Sequence, residues 1–511
     1  MPPIRAVALS LLIAASRTLA QEPARPTDED VFGKPADEVP RQTPTGQPEM
    51  PAAPAQEAPP ASEPEIPQKS EASTEKRLLG SLFKTEDPLK IGGLLYLRSN
   101  LYSREHTPPS RWDLSMPSVT DLYLDARPLD RVRGFVLGRM FFDPTLTASA
   151  SNPLPDAMSS PNPRVLLDQL WLTFDVGRTA FVTLGRQHVK WGVGHYWNPT
   201  DYLHAVRRDP LARLDERTGT YMARVQLPWE RLGWNFSAVA VFEPLVTQAT
   251  SVFVTSVSTT TPAGATATTT TQAQTTNQLG GVGGGARAEI ALGSWQLGVD
   301  ALAQRGIRPR FGFDLTGGLW ELDLRGELSL RTSSDVPLYR GTAASFQTYE
   351  PSGTRLSAVG GAEWSHRYSD KDTFTLGVEY LYNSNGYVFA ERGLYPVLVV
   401  NNAFTPFYLG RHYAAAYLTL PKPGSWDRHT FTLTGIANLS DRSELVRFDW
   451  SVTFLTYLTA ELYVQGHLGT YGGEFRLSLD VPTQNINGTV IPGIVVGTPL
   501  VDAGIALRLD L

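Results

Sequence analysis

The densest concentration of reactive side chains in the 511-residue chain lies at 184–203, Leu-Gly-Arg-Gln-His-Val-Lys-Trp-Gly-Val-Gly-His-Tyr-Trp-Asn-Pro-Thr-Asp-Tyr-Leu, and in the charged run behind it: Arg207, Arg208, Asp209, Arg213, Asp215, Glu216 and Arg217. Arg186, His188 and Lys190 stand at alternate positions, so on a strand they share one face. Below Gly185 the apolar face is Val182 and Leu184; above it, Val189 and Trp191 take that role. The change of parity predicts a β-bulge near Gly185, with Arg186, His188 and Lys190 turned to the wet side. The segment 191–217 carries Asp201, Arg207 and Arg208 among Trp, Asn and Pro, a composition suited to a loop folded inward as a charged constriction. The competing reading is a salt-bridge network that braces the loop on a rim.

Other chemistries lack their residues. There is no cysteine, which excludes a disulfide scaffold, a Cys-ligated zinc or iron–sulfur site and a thiol nucleophile. His188, His195 and His204 are separated by seven and nine residues, which matches neither a helical nor a finger-type metal site, so no metal is expected. The Gly-rich run 280–285 does not open a helix, so it is no phosphate loop and no cofactor is expected. No nucleophile elbow or paired hydrolytic motif is present, which places a hydrolase below the readings that follow. The formal charge of −6 is uneven: residues 21–75 hold 12 acids against 4 bases, and residues 76–511 are neutral. A neutral body speaks against a nucleic-acid surface.

The elements that must position these groups show period-two alternation, the strand period. Leu322, Leu324, Leu328 and Leu330 oppose Glu321, Asp323, Arg325, Glu327 and Arg331; Val446, Phe448, Trp450 and Phe454 oppose Arg447 and Asp449. One face suits hydrocarbon and the other suits water. Aromatics recur at strand ends (Trp229, Trp295, Trp364, Tyr382), as girdle residues do. Tight turns at 128–131, 177–179, 293–294, 316–318 and 369–372 alternate with long connections at 143–164, 191–217, 244–283, 332–355, 386–410 and 472–499. The fold class expected is all-β: a transmembrane antiparallel β-barrel of about 18 strands with short periplasmic turns and long extracellular loops. The connection 244–283 holds thirteen threonines and is read as an extracellular loop. The inward face carries both signs, so the lumen must hold water or dense ion pairs. Its pore-lining candidates are Arg186, His188, Lys190, Asp201, Arg207, Arg208, Glu321, Asp323, Arg325, Glu327, Arg447 and Asp449.

Residues 1–20, with Arg5, an apolar run 6–15 and small residues near Ala20, predict a cleaved secretory signal peptide. Residues 21–88 form a Pro/Glu-rich linker expected to be disordered in the periplasm, with a possible periplasmic partner; 12 prolines fall within 21–75. The barrel is assigned to 89–511. The set Gly185-Arg186-Gln187, Trp191-Gly192, Asn198-Pro199 and Asp201 resembles a stretch in poorly characterised Gram-negative outer-membrane barrels related to porins and alginate-export-type channels. The resemblance is sharp over about 20 residues. Such barrels commonly end in Phe or Trp, whereas this chain ends in Leu511. The resemblance implies an outer-membrane location. The wet lumen implies a channel for diffusion or export of small hydrophilic solutes. The alternative is a plugged structural or export barrel that binds a surface polymer or a periplasmic export partner.

Overall fold

The computed structural model describes residues 89–146, 162–245, 279–343, 345–401, 403–481, 484–486, 489–491 and 494–511. The expected signal peptide, the linker and most of the Thr-rich connection lie outside the described residues.

Alternating apolar and polar side chains favour extended backbone, and the strands so formed pair with their sequence neighbours. In chain order the barrel strands are β1 (Leu89–Arg104), β3 (Ser118–Leu129), β4 (Val132–Phe142), β5 (Arg164–Val176), β6 (Ala180–Gln187), β7 (Thr220–Trp229), β8 (Trp234–Val241), β9 (Gly283–Leu292), β10 (Trp295–Ala303), β11 (Arg310–Leu319), β12 (Leu322–Arg331), β15 (Arg355–Arg367), β16 (Thr373–Asn383), β17 (His412–Pro421), β18 (His429–Asn438), β19 (Ser443–Leu455), β20 (Leu458–Gly469) and β25 (Pro499–Asp510). The connections between them hold the shorter strands β2 (Asp113–Ser115), β13 (Leu338–Thr342), β14 (Ser345–Tyr349), β21 (Leu479–Val481), β22 (Gln484–Ile486), β23 (Thr489–Ile491) and β24 (Ile494–Val496). Every pairing between successive barrel strands is antiparallel, and β1 pairs with both β3 and β25, which closes a barrel of 18 strands. Closure leaves no edge with unpaired backbone groups, the condition for strands to cross a bilayer. Leu511 takes part in the seam: its N–H donates to the Gly93 carbonyl at 2.8 Å, and its own carbonyl accepts from the Gly93 N–H at 3.1 Å.

The polarity of this barrel is inverted relative to a water-soluble protein. Its outer face carries Leu122, Val165, Phe313, Val378, Phe448 and Ile505, all well exposed, while Asp121, Asp125, Arg133, Arg139, Arg287, Asp314 and Glu327 are buried inside. Apolar area on that scale, unpaired with any other layer, suits a hydrocarbon environment. Aromatics mark its two limits. Trp229, Trp295, Trp320, Trp364, Trp426 and Tyr457 lie at the tight turns, and Phe142, Tyr221, Phe242 and Phe311 lie at the end that carries the long connections. Among the described residues no helix is long and apolar enough to cross a membrane.

The interior charges are paired across neighbouring strands. Arg133 holds Asp125 at 2.8 Å, Arg139 holds Asp121 at 2.7 Å and Asp168 at 3.5 Å, and Arg287 holds Asp300 at 3.0 Å and Asp314 at 2.6 Å. Each guanidinium presents several donors to adjacent carboxylates, which is how such groups persist away from bulk water.

Two boundaries differ from the expected ones. The turn placed at 316–318 lies instead at Trp320 and Glu321, because Gly317 remains in β11 under the Trp295 ring, where a Cβ would come within 2.5 Å of it. The connection 386–410, read as loop, contains a 3-10 helix (Phe389–Leu394) running into a helical turn (Tyr395–Val400). Leu394, Tyr395 and Leu398 bury themselves against Tyr339, Tyr387 and Leu409 at that end of the barrel. Tyr339 belongs to the hairpin β13 (Leu338–Thr342) and β14 (Ser345–Tyr349) in the neighbouring connection.

Candidate functional site: the infolded connection 188–219

The connection between β6 and β7 turns into the barrel. Gly185, three residues before it begins, has φ 122° because a Cβ there would lie 2.1 Å from the Leu170 carbonyl oxygen. Only glycine accepts that conformation readily. The expected bulge at Gly185 is nonetheless absent: β6 keeps a continuous register with β5 and β7 through this residue. The bulge sits in β5, where the pairing with β4 skips Asp168.

This overturns the lumen assignment of Arg186. It lies in register with Leu170 and Tyr221, both outward and exposed, with its guanidinium 4.8 Å from the Tyr221 ring centroid and 3.4 Å from Glu243. Parity also fails for Val189 and Trp191, because β6 ends at Gln187 and the chain no longer alternates beyond it. Both are buried in the lumen with Tyr202 and Leu203 against the inward side chains Met222, Val239, Val241 and Leu302. Trp191 meets Tyr202 edge-on, with 6.4 Å between ring centroids.

From this anchor the outbound limb crosses to the far wall. Tyr196 and Trp197 pack on Val359, Leu381, Tyr413, Tyr417, Ile436 and Leu445 of β15 to β19. β17 stands nine strands on from β6 around the 18, so the connection spans the lumen. The Trp197 indole N–H donates to the Phe407 carbonyl at 3.0 Å.

Two inward carboxylates fix the backbone of that limb. Glu327 on β12 accepts the N–H groups of Val193 (3.0 Å), Gly194 (3.2 Å) and Thr200 (2.6 Å) and the Thr200 hydroxyl (2.7 Å). Glu379 on β16 accepts the N–H groups of His195 (2.7 Å), Tyr196 (2.9 Å) and Trp197 (2.9 Å). Converging N–H groups form a concave anion seat, and here the anion is a side chain of the wall. Gly192 is required for the approach: its φ is 90°, and a Cβ would sit 2.5 Å from a Glu327 oxygen.

A polar chain joins the roots of the connection. His188 Nε2 meets Asp168 Oδ1 at 2.7 Å, His188 Nδ1 meets His204 Nε2 at 3.3 Å, and His204 Nδ1 meets Asp201 Oδ1 at 3.1 Å. Arg217 closes it on Asp201 (2.8 Å) and Asp215 (2.9 Å). Burial raises the Asp201 carboxyl, but His204 and Arg217 outweigh that effect and hold it below the usual carboxylate range. Burial, reinforced by the Arg325 guanidinium, pushes His195 down to about 4.

The return limb, 206–218, runs along the other side of the lumen. Arg213 reaches Asp449 (3.2 Å) and Glu461 (3.5 Å), and Glu216 receives Arg98 at 2.6 Å. A cavity of about 590 Å3 remains between this limb and strands β1, β5, β19, β20 and β25.

The other predicted residues divide as follows. Arg207, Arg208, Arg447 and Asp449 line this cavity. Lys190 is exposed, and its charged neighbours include Arg208, Asp201, Glu327 and Arg217, which places it in the lumen. Arg325 holds Glu363 at 2.6 Å on the inner wall, and Asp323 sits inward at the tight-turn end, opposite Glu363 in the ladder. Glu321 is not in the lumen: it occupies the β11–β12 turn and accepts the Trp364 indole N–H at 3.1 Å on the outer side. Asp168, Arg213, Glu379 and Glu461 complete the site: Arg213 belongs to the charged run behind 203 and Glu379 and Glu461 stand at inward positions of their strands, whereas Asp168 carries no signal in sequence. Alternation alone marks Glu379 as inward, but nothing in sequence marks it as the partner of 195–197.

No family model matches the chain, and no curated protein matches it. Among solved structures it is similar to Acinetobacter baumannii OccAB4 (8% identity, TM-score 0.45, covering 83% of this chain and 98% of that one). It is also similar to Pseudomonas aeruginosa OpdK, solved with vanillate (12% identity, TM-score 0.45, 83% and 98%), and to Escherichia coli Wzi, described as a carbohydrate-binding β-barrel involved in group 1 capsule assembly (12% identity, TM-score 0.44, 86% and 87%). At these levels the likeness is one of barrel form.

Proposed function

We infer that the protein is a porin-like channel of the Gram-negative outer membrane, through which small hydrophilic solutes diffuse past a constriction built by the connection 188–219. The observation that carries this reading is the cavity of about 590 Å3 left beside the return limb, lined by water-compatible side chains inside a barrel whose outer face is apolar. A barrel of this strand number is wide enough for an aqueous passage when its interior is not fully packed. The infolded connection narrows the passage without replacing its polar wall.

The plugged-barrel reading finds less support, because the return limb meets the wall through ion pairs around a cavity, whereas a plug fills its barrel with close-packed side chains. A hydrolytic reading is disfavoured by geometry. Both ring nitrogens of His188 are engaged, by Asp168 and by His204, which makes it a link in the polar chain at the root of the connection and does not aim it at an attacking group.

Proteoliposomes holding the full-length protein test the reading by osmotic swelling. Rates should fall steeply with solute size from glycerol to a trisaccharide. Swelling no faster than in empty liposomes, from protein that migrates as a folded barrel, contradicts it.

A further inference from the structure

The cavity beside the return limb has a chemical character finer than polarity. Its central charges are already matched: Arg447 holds Asp449 at 2.8 Å, Arg213 bridges Asp449 and Glu461, and Arg98 holds Glu216. Seven arginines and five carboxylates line the cavity, and of the arginines away from this group Arg164 stacks over Phe141 at 4.4 Å and Arg207 over Tyr408 at 5.5 Å. At the Arg213–Asp449–Arg447 group an anionic solute would have to displace Asp449 or Glu461 from a guanidinium and would gain little by doing so. A neutral solute rich in hydroxyl groups leaves the pairs intact. Each guanidinium has five N–H donors and each carboxylate about four acceptor sites, more than the pairs use, so donors and acceptors lie side by side. That is the pattern a vicinal diol satisfies, because each hydroxyl both donates and accepts.

Apolar faces alternate with these pairs. Tyr96, Tyr102 and Tyr463 line the same cavity. The hydroxyls of Tyr96 and Tyr463 are fixed, the first on Glu461 at 2.8 Å and the second on Asn100 at 3.1 Å. Tyr96 is buried under the Arg98 guanidinium, 5.2 Å from its ring centroid, and Arg447 stacks on one side of Tyr463 at 4.2 Å. The half-buried rings of Tyr102 and Tyr463 are the ones that offer apolar surface to the C–H face of a pyranose, at small entropic cost where the ring is held. The volume of about 590 Å3 falls within the roughly 300–1,000 Å3 of small-molecule sites.

We propose that this cavity is a subsite for a neutral polyhydroxylated solute of monosaccharide size, held by the Arg213–Asp449–Arg447 group and the tyrosine rings. The proposal rests on the channel reading and deepens it. Single-channel currents of the full-length protein, recorded in KCl before and after addition of glucose, test both. Discrete current steps in KCl establish the channel. Glucose should then interrupt the current with a saturating concentration dependence, and glucuronate should do so only at higher concentration. Asp449→Asn and Tyr463→Leu should each raise the half-saturating glucose concentration, the first about tenfold, as expected for loss of a charge-assisted hydrogen bond. Tyr463→Leu removes the ring without removing a partner of any ion pair and guards against misfolding of the first variant, whereas Tyr463→Phe, which keeps the ring, should leave the half-saturating concentration unchanged. Open channels that glucose does not block, or that glucuronate blocks at lower concentration than glucose, overturn the proposal and leave the channel reading in place. Absence of current steps overturns the channel reading itself, and isothermal titration of the detergent-solubilised barrel with glucose then decides the subsite on its own: measurable binding upholds it and none removes it.

Discussion

Replacing Glu327 by Gln should loosen the constriction while leaving the barrel standing. One carboxylate oxygen accepts from the Thr200 N–H and hydroxyl, and the other accepts from the Val193 and Gly194 N–H groups. Glutamine keeps one oxygen and presents an amide NH2 to the remaining pair of donors, so at least two bonds are lost. Hydrogen bonds to a charged group contribute about 1.5–3 kcal/mol each, so docking of 193–200 should weaken by about 3–6 kcal/mol. The apolar anchor of Trp191, Tyr202 and Leu203 is untouched, and Glu379 still holds 195–197. The single variant should therefore flicker between docked and undocked states, and Glu327→Gln with Glu379→Gln should be undocked for most of the time. Single-channel recording should show larger open-state noise in the single variant and a higher mean conductance in the double. Limited proteolysis should cut between 188 and 219 in the double variant first. Only 4% of Glu327 is exposed, so removal of its charge does not itself change the water-filled path. Unchanged conductance and unchanged protection in a folded double variant would refute the carboxylate-clamp account.

Other outcomes follow from the same geometry. Val378 lies outward in the middle of β16, so Val378→Arg should cost about 2–4 kcal/mol and reduce the heat-modifiable folded band on a gel, with Val378→Leu neutral. Arg186→Gln should leave the reversal potential under a salt gradient unchanged, because Arg186 lies on the outer face. Lys190→Gln should lower the anion-to-cation permeability ratio, and that effect should shrink between 0.1 M and 1 M salt as the Debye length falls from about 10 to about 3 Å. His195 has a lower pKa docked (about 4) than free (6.5), since burial, Arg325, Arg208 and Lys190 outweigh Glu363. The undocked state therefore binds more protons between these values. Docking is strongest above pH 6.5 and weakens by up to about 3 kcal/mol as pH falls towards 4, so open-state noise should rise on acidification and His195→Gln should flatten that dependence.

Period-two alternation made the barrel legible, because lipid on one side and water on the other impose opposite chemistry on successive residues. Leu328 and Glu327, or Phe448 and Asp449, needed only this rule. The infolded connection was legible in composition and not in geometry. Val189 and Trp191 continue the alternation of β6 on paper, yet the strand stops at Gln187, and their burial is decided by Met222, Val239 and Leu302 on other strands. Arg186 misled for a related reason. A positive φ at Gly185 answers a close contact with the Leu170 carbonyl and does not shift the register, whereas the real bulge, at Asp168, depends on a count against β4 that β5 alone does not display. Glu327 and Glu379 look like ordinary inward charges in sequence. Their role as backbone acceptors for 193–200 arises only when the connection crosses the barrel.

The most direct test of the central claim is the current carried by the purified full-length protein in a planar bilayer. A water-filled path past the connection 188–219 predicts discrete, ohmic conductance steps in KCl, larger in the Glu327→Gln, Glu379→Gln double variant. A folded, inserted barrel that stays electrically silent in both forms would contradict it.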